Sequence, residues 1–493
     1  MRSKTSSTLI SLAAFACLAA LPLAVDLSAQ VAPPPWLRVV RDATPAQGSN
    51  WPQFRHDAQH TAATSQELSG SLTLRWKRGF AEWPHVFAEL AVVDGRVYLA
   101  NMDGEVTCLD GATGAVVWEY DTGAAISTTP AVVDGRVHVV NIAGRVVTLS
   151  TSGGLLWEYT VPAGVYASPA VQGGLMFFGT VGGTFYAFDT ANGAGGPRWS
   201  YPVGATIDTA PVVIGGAVAF AAENMRAYAL NVGSGALLWS TPLTGNRTWN
   251  GHPVASLTTD RIYFSTLAEF MQETSTNRET VDMFAFMSRT GTLSSVAVWA
   301  DAFVGANRSK LQSAVVVDAT TGQPVTQYTV APDNAVIGGL PFNNWYWGSI
   351  RPALWQGSKL YLQTMWRNVI VDLATNRISQ PNADQLQTKH FVRGDEQVPV
   401  SIGGNRAYGG IGTNAAYLNL TTGARGNLYG VFGSESADFS PMTAPVSSSH
   451  YISFPGDGAS DRNGTFIVAN GRAYFIQYGW VYCFDGTVTT VTS

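Results

Sequence analysis

Ala91-Val92-Val93-Asp94-Gly95-Arg96-Val97 returns without change at Ala131-Val132-Val133-Asp134-Gly135-Arg136-Val137, and this pair of stretches decides the fold. Weaker copies begin at Ala170, Val212 and Val254, and later ones near Ala353, Val400 and Val468. Each copy has one internal grammar. A short apolar strand runs into a Gly-containing turn, and a second strand such as Val97-Tyr98-Leu99-Ala100 follows. After a polar turn a third strand ends in Asp/Asn-x-x-Ser/Thr-Gly, as at 110–114, 231–235, 318–322 and 419–423. A fourth strand carries Trp118, Trp157, Trp199 or Trp239. Strands at a period of about 40 residues, with no helical periodicity, are the signature of propeller blades. One small sheet cannot bury both faces alone, so neighbours stack into a ring. The expected fold is all-β, a propeller of about eight four-stranded blades. The tryptophans are expected to fill the gaps between blades.

Working outward, Leu72-Thr73-Leu74-Arg75-Trp76 reads as a fourth strand that precedes the first complete blade. The C-terminal copy nearly stops after Tyr482-Cys483-Phe484-Asp485-Gly486, so the N-terminal strand is expected to complete the last blade and remove an open edge. Between Val254 and Ala353 there are two third-strand-like segments, Met283-Phe284-Ala285-Phe286 and Val315-Val316-Val317-Asp318. Either one blade carries an insertion within 267–349 or a degenerate blade lies there. The polar stretch 273–280 favours an insertion.

Composition agrees with a large, sparsely charged ring. Of 493 residues 46% are hydrophobic and 13% charged, and the 51 glycines suit many tight turns. A net charge of −5 offers no basic field for phosphate backbones, which argues against nucleic acid as a partner. Arg2 and Lys4, the apolar run 9–25 and Leu27-Ser28-Ala29 read as an export signal over residues 1–29. A Pro-rich linker at 30–50 and the propeller at 51–493 follow. The mature chain is expected to be periplasmic or secreted, monomeric and without a membrane span. Beyond the signal only Cys108 and Cys483 remain, in no C-x-x-C spacing, which argues against zinc and covalent haem. Both read as small buried core residues.

In a propeller the loops entering the first strands converge on one channel mouth. Aligned on the proline that opens each strand, the early blades bring mostly small residues there. The richer positions are Glu89, Asp208, Trp249, Asn250, His252, Trp345, Trp347, Arg351 and Glu396. Aromatic faces among amides, acids and arginine suit a polar ligand with apolar faces, and Asp208 with Glu396 offers oxygen ligands for a hard cation. Weaker patterns are the i, i+4 pair His56 and His60, and the turn-forming run 457–464, which lacks the closing acid of a calcium loop.

Val106-Thr107-Cys108-Leu109-Asp110-Gly111-Ala112-Thr113-Gly114, Phe185-Tyr186-Ala187-Phe188-Asp189 and Tyr228-Ala229-Leu230-Asn231 resemble the repeat of the PQQ-like propeller family. Trp51-Pro52-Gln53-Phe54-Arg55-His56-Asp57 resembles the Trp-Pro-x-Phe-Arg-Gly-Asp start of exported members, with His56 where glycine is usual. The resemblance implies either of two functions. Quinoprotein dehydrogenases of the family bind PQQ and calcium at the ring centre, whereas a propeller lipoprotein of the outer-membrane β-barrel assembly machinery is a cofactor-free scaffold. This chain has neither adjacent cysteines nor a C-x-x-C-H motif. The expectation is therefore a non-catalytic binding or scaffold protein for an envelope or extracellular protein or polysaccharide, without cofactor. The alternative is a PQQ- and calcium-dependent oxidoreductase lacking a haem domain.

Overall fold

The computed structural model describes residues 49–80, 88–245, 247–248, 251–266, 314–331, 334–338, 340, 351–363, 368–379, 400–411, 414–427, 466–477 and 479–491. They form eight sheets. Blades 1 to 8 are numbered by their first strands: Ala91–Val93, Ala131–Val133, Ala170–Gln172, Val212–Ile214, Val254–Ser256, Ala353–Trp355, Ser401–Gly403 and Ile467–Ala469. In blades 1 to 4 the strands follow one another as antiparallel neighbours, the order that short turns dictate. Second and third strands are buried nearly throughout, and fourth strands alternate toward solvent, as befits the outer rim.

The ring closes as the sequence leads one to expect. Gln66–Gly79 pairs antiparallel with Trp480–Thr490 and becomes the outer strand of blade 8. A strand from near the start of the propeller and the last strand thus share one sheet, so neither leaves an open edge there.

The tryptophans do seal the gaps between blades, by a specific bond. The indole N–H of Trp76, Trp118, Trp157, Trp199 and Trp239 donates to a carbonyl in the third-to-fourth-strand turn of the next blade. The acceptors are Gly111, Thr151, Thr190, Val232 and Ala319, at 2.8–3.1 Å. The terminal glycine of that turn is required by shape. Gly235 has φ +71, and a Cβ there would lie 2.7 Å from the Trp199 ring. Each repeat therefore offers a tryptophan forward and a glycine turn backward.

Blade 5 breaks the pattern. Its second strand, Arg261–Ser265, pairs directly with Ala314–Asp318, so residues 266–313 intervene between strands two and three. Met283 to Phe286 lies outside the described residues. Where the fourth strand is expected, Pro324–Val325 and Leu340 are what reach the third strand among the described residues. Between them the chain makes a hairpin, Gln327–Val330 with Ala335–Gly338. The hairpin crosses to blade 6 and pairs in parallel with its outer strand, Arg377–Ser379. Tyr328 and Val330 are buried there with Ile378 and Leu340. This clasp holds the 5–6 junction, where the described residues of blade 5 supply no tryptophan.

Candidate functional site at the ring centre

The centre of the ring is occupied by the chain itself. Residues 49–64 run around the channel and bond the innermost strand of every blade in turn. Asn470 N of blade 8 donates to Ser49 O. Trp51 exchanges both backbone bonds with Val92 of blade 1 at 2.7 Å, and Pro52 O accepts Val132 N of blade 2. The Gln53 amide grips Val171 of blade 3, accepting its N–H at 2.9 Å and donating to its carbonyl. Val213 N of blade 4 reaches Ala58 O, and Ala255 N of blade 5 reaches Gln59 O. Leu354 N of blade 6 reaches Thr61 O, and Ala63–Thr64 lies parallel to blade 7. A blade's first strand has one unpaired edge facing the axis, and buried backbone groups need partners. This segment supplies them.

Such a path bends sharply and changes hand. Arg55, His56, His60 and Ala62 all have positive φ, at 56°, 80°, 58° and 49°. His56 stands where the resembling family has glycine, and its φ gives the reason for that glycine. The imidazole here offsets strain by its contacts: Nδ1 lies 3.0 Å from Asp57 Oδ2, and the ring meets Trp51 edge-on at 5.0 Å. Asp57 also accepts the backbone N–H groups of Gln59 and Thr61 and the Thr61 hydroxyl. Burial would raise its pKa, but these bonds and His56 together hold it below the usual value.

The side chains of Phe54 and Arg55 reach the level of the first-strand entry loops, where the sequence-derived candidates converge. Arg55 is fully buried. Its Nη2 donates to the carbonyls of Arg351, Pro352 and Val400 at 2.6–3.0 Å, and its Nη1 lies 3.4 Å from Glu89 Oε1. Glu89 Oε2 accepts the Arg55 backbone N–H at 2.9 Å. One guanidinium thus ties blades 6 and 7 to blade 1. Phe54 packs with Ala167 and Ala210 and meets His60 and His252 edge-on, while the Arg351 guanidinium lies 5.3 Å from its ring centre.

Glu89, His252 and Arg351 are therefore brought together, and the hub engages all three. His252 Nδ1 accepts Ala210 N–H at 2.9 Å, and burial pushes its pKa well down, aided by Arg351 and His60. Burial lowers Arg351 to about 9 against the pull of Glu89, so it stays cationic at neutral pH. Asp208 stands apart, in the entry loop of blade 4. The Thr248 hydroxyl lies 3.2 Å from Asp208 Oδ1 and 2.9 Å from Glu223 Oε1, bridging two carboxylates. Burial and the Glu223 charge raise Asp208 to about 6. Trp249, Asn250, Trp345, Trp347 and Glu396 lie outside the described residues, as does 457–464. Cys108 and Cys483 are buried and unpaired, with burial raising the thiols to about 11 and about 12.

The sequence reading missed Gln53, Phe54 and Arg55 as centre residues. The available signals were the family-like start Trp51 to Asp57 and the density of polar side chains, Gln53 to His60, in a stretch with neither strand nor helix period.

Residues 60–153 and 103–282 match the family model described as outer membrane protein assembly factor BamB, of the PQQ_2 repeat type. Over residues 60–282 the blades are similar to repeats of that type. The match spans blades 1 to 4 and runs into the insertion of blade 5. Among solved structures, a quinohemoprotein alcohol dehydrogenase from Comamonas testosteroni is similar with a TM-score of 0.53 at 13% identity. That match covers 92% of this chain and 82% of that one. The computationally designed Ika8 protein gives 0.52 at 12%, covering 84% and 100%. BamB from Moraxella catarrhalis gives 0.48 at 15%, covering 84% and 99%. At these identities the likeness is one of fold. No curated protein sequence matches the chain. Among the described residues no helix is long and apolar enough to cross a membrane.

Proposed function

We propose that this chain is an exported PQQ-like propeller that acts as a non-catalytic binding or scaffold protein, without a redox cofactor, in the periplasm or outside the cell. The observation that carries the reading is the filled ring centre. Phe54 and Arg55 occupy the level at which the entry loops converge, and both Glu89 oxygens are bound by Arg55. A quinone with calcium at the ring centre needs space there and a set of oxygen ligands. The engagement of Glu89 by Arg55 supports the cofactor-free reading, as does the spacing of the described His, Cys, Asp and Glu side chains, no three of which stand close enough to hold a metal. The BamB description of the matching family supports a protein partner. The export reading rests on Arg2, Lys4 and the apolar run 9–25.

Titrating the purified mature chain with PQQ and calcium, with dye reduction by alcohols and sugars as readout, tests this directly. The reading expects neither tight binding nor turnover. Turnover that disappears on Glu89→Gln would replace it with the oxidoreductase reading.

A further inference from the structure

The mouth face of blades 2 and 3 is free of charge in its loops. The entry loops 122–129 and 161–168 read TGAAISTT and VPAGVYAS, and the second-to-third-strand turns 141–144 and 180–183 read NIAG and TVGG. Antiparallel topology places both kinds of loop at the same end of a blade, and hydrogen bonds join them into one band. Ile142 N donates to Ala125 O, Val181 N to Gly164 O, and the Thr206 hydroxyl to Val181 O. Along it Ala143, Pro162 and Gly182 are exposed, Val181 is 37% exposed and Tyr166 is 49% exposed. At the start of the blade 2 loop the Arg145 guanidinium donates to Thr122 O at 2.8 Å and pairs with Glu158, a neutral pair that bounds the band. At the blade 4 end the band meets Glu223, whose backbone N–H donates to Thr206 O. Glu223 stands there with Asp208, and Arg247 lies 3.6 Å from it.

Exposed apolar side chains gathered on one face, here Val181 and Tyr166 among small residues, suit a docking site. Its small residues let another backbone approach closely, and the Ile142 and Val181 amides are already used between loops. A carbohydrate would need several exposed polar side chains to match its hydroxyls, whereas Ser127, Thr128, Thr129, Asn141, Ser168 and Thr180 of the band are buried. Charge complementarity indicates the rest of the occupant. We propose that the band binds a polypeptide segment of a partner protein, with small or aliphatic side chains along it and a lysine or arginine meeting Asp208 and Glu223. This rests on the binding reading above and specifies its surface.

The test is a random twelve-residue peptide library panned on the purified full mature chain. The selected peptide is then titrated by fluorescence anisotropy. The proposal expects aliphatic peptides with one basic residue, weakened about tenfold or more by Ala143→Glu and several-fold by Asp208→Asn. Leu156→Glu, on the outer strand of blade 2, should leave binding unchanged. A peptide lost with Leu156→Glu but indifferent to Ala143→Glu would overturn the band while leaving a binding function standing. Enrichment of acidic peptides, or of none, would overturn it too. Failure of the binding reading itself appears separately, as quinone turnover.

Discussion

Blades 1 to 4 and blades 5 to 8 are built by different means. The first four are near-copies, and each junction from 8–1 to 4–5 carries the same tryptophan-to-turn bond. Among the described residues the outer strands of blades 5, 6 and 7 hold no tryptophan, and other devices take its place. A hairpin clasps blade 5 to blade 6. The Tyr408 hydroxyl and the Arg406 guanidinium bond Leu68 of the closing strand to blade 7. Arg55 gathers blades 6, 7 and 1 from the centre. The difference teaches that a repeat can hold a ring through nearest-neighbour contacts only where it stays regular. Where it degenerates, one non-repeating segment does the same work by touching every blade.

The largest break in this comparison should come from Arg55→Leu. It removes the cation beside the buried Glu89 and the donor to three carbonyls, so we expect a loss of about 5 kcal/mol in urea unfolding. Trp157→Ala opens one junction in the regular half and should cost about 3–4 kcal/mol, as deletion of a buried tryptophan does. Because contacts are local there, that loss should not spread beyond blades 2 and 3.

Acid should act next, and mainly at the centre. Burial holds His60 neutral and lowers it to about 4, its Nδ1 lying 2.8 Å from the Pro253 carbonyl. A histidine depressed in the folded state gives stability that is complete above about pH 6.5 and lost as pH falls toward 4. His60 alone then removes at most about 3 kcal/mol, and His252, also lowered, adds to the loss. Unfolding midpoints flat from pH 8 to 4.5 would contradict this. Gly235→Ala is smaller: a left-handed turn and a Trp199 contact should cost about 2 kcal/mol. Smallest is Asp208→Asn, which should stabilise. Asp208 is raised to about 6, so its destabilising contribution grows as pH rises from 3.8 through 6 and is absent below. The variant should gain about 1 kcal/mol at pH 8 and nothing at pH 3.5, read by thermal unfolding.

The regular half was legible because each of its elements follows a local pattern: alternating strands, Asp-Gly turns, a tryptophan at fixed offset. The closing strand was legible as well, since Leu72 to Trp76 repeats that pattern before its own blade exists. The hub was not. Its partners lie up to hundreds of residues away, and its bonds run through backbone atoms that carry no sequence signature. The clasp was hidden for the opposite reason, because Gln327–Val330 reads as the strand it displaces. At the site, proline alignment brought Glu89, His252 and Arg351 to one place, but sequence could not disclose that Phe54 and Arg55 engage them there.

Hydrogen exchange followed by mass spectrometry, comparing the full chain with its Arg55→Leu variant, tests the central claim most directly. If residues 49–64 hold the irregular half, the first strands of blades 6, 7 and 1 lose protection, while those of blades 2 and 3 keep theirs. Uniform loss across all eight blades, or no loss at blades 6 and 7, would contradict it.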